Sequence, residues 1–171
     1  MNNLFTLIVA LLIAVALFTV VKRRNWLASL TAAANVGAST IGTHHGGKLS
    51  RYAASAFTAR HLLCKIGADE THVALCGAAD IPLGLCDDEA EAAEDPINVV
   101  ALGSSEGTLK ARASAAIALG AMVVPDANGK VRTLPAAAGT YYIIGRALTA
   151  AAADGDELEI APTFPVQRIV A

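Results

Sequence analysis

Apolar positions change their spacing twice along the chain. Residues 4–21 (LFTLIVALLIAVALFTVV) run without a charge or a polar face, which predicts a helix that is apolar on every side. Between residues 27 and 50 the apolar positions are mostly alanine, interrupted by Gly37, Gly42, Gly46 and Gly47. That composition buries too little surface to fold alone and predicts a linker or extended arm. Beyond it, short apolar runs and strict alternation are punctuated by Gly, Pro, Asn and Asp. This predicts about eight to ten strands closed into a small sandwich or barrel. The expected organisation is a hydrophobic helix with its basic and Trp flank over 1–26, an arm over 27–50 and an all-β domain over 51–171.

Within the β domain, residues 61–66 and 72–76 are apolar runs separated by Gly67-Ala68-Asp69-Glu70-Thr71, the composition of a hairpin loop. Asp80-Ile81-Pro82-Leu83-Gly84 then predicts a sharp turn into another strand, since Pro fixes φ and Gly permits positive φ. Strands are expected over 97–102 and 107–112, with a turn at Gly103-Ser104-Ser105-Glu106-Gly107 between them. The run Ala121-Met122-Val123-Val124 is followed by Pro125-Asp126-Ala127-Asn128-Gly129, and Asn-Gly is among the strongest hairpin signals. Lys130 to Leu134 alternates as a half-buried strand. Residues 141–147 (YYIIGRA) are strongly β-prone, with Gly145 expected at a bulge or close approach. The chain closes with strands at 156–160 and 164–170, where Pro162 and Pro165 suggest an edge.

Several of these segments carry a resemblance. His61-Leu62-Leu63 with its Gly-x-Asp loop, His72-Val73-Ala74-Leu75-Cys76-Gly77, Asp80-Ile81-Pro82-Leu83-Gly84 and the GAMVVPDANGKV unit at 120–131 resemble the core of phage capsid decoration, or cement, proteins. The likeness spans about residues 42–166. It implies a β-tulip-like domain that assembles as a homotrimer on the outside of a virion, with the major capsid protein and copies of itself as partners. An N-terminal hydrophobic helix is not part of that pattern.

At a rise of ~1.5 Å per residue, the run from Leu4 to Val21 spans roughly 27 Å as a helix, enough to cross a bilayer. Lys22-Arg23-Arg24 and Trp26 follow as interfacial anchors. Membrane contact through residues 4–21 is therefore expected, with packing inside a protein assembly as the alternative. No positive charge beyond the N-terminus precedes the run and no clear small-x-small site closes it, so a cleaved signal peptide fits poorly.

Charge excludes one class of partner. Three of the thirteen Lys and Arg lie at 22–24, and the remaining ten face all fifteen Asp and Glu. The β domain is thus about five charges negative, which opposes a phosphate-binding face and nucleic acid as a partner. The three cysteines, Cys64, Cys76 and Cys86, lack a secretory pattern and are expected as reduced, half-buried thiols.

Candidate chemistry is sparse. His61, Cys64, His72 and Cys76 have a zinc-like spacing, but on a strand an offset of three sets His61 and Cys64 on opposite faces. Adjacent His44 and His45 in an extended arm point opposite ways. The acidic run DDEAEAAED at 87–95 lacks the alternating oxygen ligands and bend glycine of a calcium loop, and is expected to be a solvated loop or short helix. There is no Gly-x-Ser-x-Gly, no phosphate-cradling loop and no histidine after position 72. No catalytic, cofactor or metal residue is therefore expected, and no cofactor. The role that the resemblance implies is a structural virion protein that binds and stabilises a capsid lattice. The alternative is a single-pass membrane-anchored β module or filament subunit.

Overall fold

The structure is a computed structural model that describes residues 45–171. Among the described residues ten strands build two sheets. β1 (Lys48–Ala53), β2 (Leu63–Ile66), β3 (His72–Leu75), β4 (Gly84–Cys86) and β5 (Pro96–Ala101) close a barrel in the order β1-β3-β2-β4-β5. β6 (Leu109–Arg112), β7 (Met122–Pro125), β8 (Val131–Thr133), β9 (Gly139–Ala147) and β10 (Glu157–Val170) form an open sheet in the order β6-β10-β9-β7-β8. The all-β expectation is met. The helix expected at 4–21 lies outside the described residues.

Period-two alternation decides how the two sheets meet. Leu63 pairs with Leu85, and Cys64 pairs with Gly84. Cys64, Cys86, Val73, Ile97 and Val99 point into the barrel around Phe57. Leu63 and Leu85 point out of it and share a second core with Val123, Val131, Ile144, Leu158 and Ile160 of the open sheet. A one-residue slip of β2 would exchange Leu63 and Cys64 and break both cores.

The Asn-Gly hairpin forms where it is expected. β7 and β8 pair antiparallel from Val123↔Thr133 to Pro125↔Val131, and Asn128 and Gly129 both take positive φ, at 57° and 72°. The tip also docks on the barrel: Gly129 N–H donates to the Cys76 carbonyl at 2.8 Å.

Other elements differ from the sequence reading. β1 begins at Lys48, inside the stretch read as arm, and pairs antiparallel with β5 and parallel with β3. His61 is not in a strand; it sits in a turn at φ 63° before β2. The turn at 103–107 does not close a hairpin, because β5 belongs to the barrel and β6 to the open sheet, so the chain crosses between them there. The two C-terminal strands are one, β10, with a register irregularity between Pro162 and Val166. Gly145 lies against it, where a Cβ would come 2.3 Å from the Ala161 carbonyl oxygen.

Candidate interaction surfaces

Partly exposed polar groups bridge the two sheets. Arg112 of β6 donates through Nε to the Arg60 carbonyl and through Nη1 to the Gly155 carbonyl, both at 3.0 Å. Glu157 of β10 accepts from His61 Nδ1 at 3.0 Å and pairs with Lys110 and Arg112 at 3.4 Å. The His61 contact, with Lys110 beside it, holds the Glu157 carboxyl below its ordinary range. These groups satisfy one another along the seam, as ordinary structural polar groups do.

A second polar cluster ties loops at the mouth of the barrel. Asp69 Oδ1 accepts from Thr71 Oγ1 at 2.6 Å and from the Thr71 backbone N–H at 2.8 Å. His72 lies between two carboxylates, with Nδ1 2.8 Å from Asp69 and Nε2 3.0 Å from Glu94. Both ring nitrogens donate only when the imidazole is protonated, so the hydrogen bonds to Asp69 and Glu94 raise its pKa. Asp69 is lowered in turn, chiefly by Thr71 and His72. Glu94 belongs to the acidic run, which the structure shows as a loop. There Asp87 pairs with Lys48 at 3.2 Å, Asp88 accepts from Asn98 Nδ2 at 2.7 Å, and Ala90 is buried in a bridge to Phe57.

The zinc-like spacing is dispersed. His61 is at the seam, Cys64 is inside the barrel, His72 is between its carboxylates, and Cys76 is in the core between barrel and sheet. Among the described residues, no three His, Cys, Asp or Glu side chains are grouped to hold a metal. All three cysteines are free and fully buried. Burial pushes Cys64 well up, Cys76 to about 12 and Cys86 to about 11, so the thiols stay protonated. His45 opens a short 3-10 turn, and His44 lies outside the described residues.

Several large apolar side chains project outward. Ile66 and Ile81 flank an open patch with Lys65, Pro82 and Leu83, and Lys65 donates to Asp80 at 2.8 Å. That contact lowers the Asp80 pKa. Leu119, Met122 and Leu148 are exposed where the loop before β7 meets the end of β9. A further exposed element is a two-stranded ribbon. Residues 139–143 of β9 and 166–170 of β10 pair with each other and with no other strand among the described residues. On and beside it Phe164 is 74% exposed, Val166 56% and Ile169 74%. The sequence predicts no site residues and an edge strand over 164–170, and the surface emerges only from the pairing.

The architecture is similar in fold to the solved structure of "head fiber gp8.5 N base in bacteriophage phi29", with a TM-score of 0.53 and 15% identity. That likeness covers 69% of this chain and 94% of the other. The family follows from the sequence itself. Residues 43–162 match the family model of phage cement proteins, and the chain belongs to that family. It is a structural, virion-associated phage protein. No curated protein matches the chain. Among the described residues no helix is long and apolar enough to cross a membrane; residues 4–21, from which membrane contact was expected, lie outside them.

Proposed function

We propose that the β domain binds the outer face of an assembled capsid shell and clamps neighbouring major capsid subunits, with copies of the chain associating as a homotrimer. The observation that carries this reading is the cement family match, which runs from just before β1 into β10. The exposed apolar patches and the dispersed, mutually satisfied ionisable groups support adhesion as its chemistry. On this reading the protein acts by binding alone, without a catalytic group, cofactor, metal or nucleic acid. It stabilises the shell because a ligand that binds only the assembled state shifts the equilibrium toward it, by about 2.7 kcal/mol at a hundred times its dissociation constant.

The test uses shells that lack this protein. Added full-length chain is expected to co-sediment with them at saturable stoichiometry and to raise the temperature at which they release their contents. Free subunits are expected not to bind. Equal binding to unassembled capsid subunits, or no shift in shell disruption at saturation, refutes the clamp.

A further inference from the structure

The ribbon poses a physical problem that one copy of the chain does not solve. A two-stranded hairpin in water is marginal by itself, yet here residues 139–143 and 166–170 have neither edge paired among the described residues. Its root is fixed, because Phe164 packs on the turn after β5, where a Cβ on Gly103 would come 2.9 Å from the Phe164 Cα. Pro162 and Pro165 remove donors near the root, but 166–170 (VQRIV) beyond them has no proline and presents an unpaired strand edge of the kind that pairs with another surface.

Charge selects the occupant. Residues 139–146 and 161–171 contain Arg146 and Arg168 and no acid. Of the chain's thirteen Lys and Arg, three lie at 22–24, Arg168 is on the ribbon and Arg146 is at its root, which leaves eight against all fifteen Asp and Glu. The body of the β domain is therefore strongly acidic where the ribbon is basic. Residues 1–40 carry only the basic Lys22, Arg23 and Arg24 and do not complement it.

Within the acidic body, Glu89 and Glu91 are exposed in the 87–95 loop and make no ion pair among the described residues. That loop enters β5 at Pro96, while the ribbon's root sits just past the other end of β5, at Gly103. A six-residue strand holds these points roughly 20 Å apart, so the loop and the ribbon lie toward opposite ends of one copy. Edge-to-edge pairing of two ribbons about their midpoint would set Arg168 opposite Arg168, and like charges directly opposite destabilise a sheet. A contact between unlike surfaces avoids this and closes into a ring when the rotation permits.

We propose that the β9–β10 ribbon is the surface through which one copy of this chain binds the next, with the 166–170 edge and Arg168 at its centre set against the acidic 87–95 loop of the neighbour. The inference rests on the reading that copies associate and names the surfaces that do it.

The experiment places p-benzoylphenylalanine at Ile169 in the full chain, mixes copies labelled with light and heavy nitrogen, irradiates, and maps the joined peptides by mass spectrometry. The expected product joins position 169 of one isotope to a peptide spanning 87–95 of the other. Arg168→Glu is expected to weaken association at least about tenfold in sedimentation equilibrium, with the β signal of the folded domain unchanged. Joining to residues 1–44 of the same copy, joining only to capsid protein when shells are present, or no product while the chain still sediments as an oligomer would each overturn the assignment. Shell binding is scored separately: copies that join as expected but fail to bind shells defeat the clamp and leave this surface standing.

Discussion

Replacing Gly129 with Ala tests whether the tip of the β7–β8 hairpin is a docking element or only a turn. Two penalties add there. Gly129 has φ +72°, and forcing a side chain into the left-handed region costs about 1–2 kcal/mol. A Cβ would also lie 2.7 Å from the Leu63 carbonyl oxygen, 3.0 Å from Leu75 Cδ2 and 3.1 Å from Leu62 Cβ. One of those neighbours is strand backbone that cannot swing away, so overpacking adds about 1–3 kcal/mol. The sum is about 2–5 kcal/mol. Gly120 supplies the control, since it has φ +80° with nothing within 4 Å of its missing Cβ. Gly120→Ala therefore carries the conformational penalty alone, about 1–2 kcal/mol. Urea unfolding followed by far-ultraviolet circular dichroism is expected to show a larger fall in midpoint for Gly129→Ala than for Gly120→Ala, with equal slopes. In heat, the corresponding losses are about 10–20 °C against about 5 °C for a domain of this size. Equal destabilisation by the two substitutions refutes the claim that the hairpin tip is wedged against the barrel.

The remaining predictions concern pH and thiols. The raised pKa of His72 contributes stability that is fully present below its ordinary value of 6.5 and is lost as pH rises through the folded value. The lowered pKa of Asp69 contributes above 3.8 and is lost as pH falls. Urea midpoints are accordingly expected to be highest between these two values and to decline toward pH 8. His72→Gln is expected to flatten that decline, and a wild-type midpoint that rises from pH 6 to pH 8 contradicts the arrangement. Cys64, Cys76 and Cys86 are expected to resist Ellman's reagent in the native state and to react together in urea, because burial keeps each protonated. Fast native modification of any of them shows that its core opens.

The sequence by itself determined what local chemistry can determine. Asn128-Gly129 specified a hairpin because both residues accept positive φ, and the alternation over 130–134 specified a half-buried strand. The segments around Asp80 to Gly84 carried enough of the family pattern to imply a cement protein. Tertiary structure decided the pairings between distant segments. Nothing in KLSRYA announces that it bonds to β5 on one side and β3 on the other. The 103–107 segment has the composition of a hairpin turn but serves as a crossover, because composition fixes a bend and not the partner of the strand that follows. The candidate surface was illegible for the same reason. Ile160 is buried where β6 flanks β10 over 157–160 and its face turns to the core, whereas Ile169 lies beyond the end of β6 and is exposed. Propensity sees two similar strand residues, whereas burial is settled by where the neighbouring strand ends.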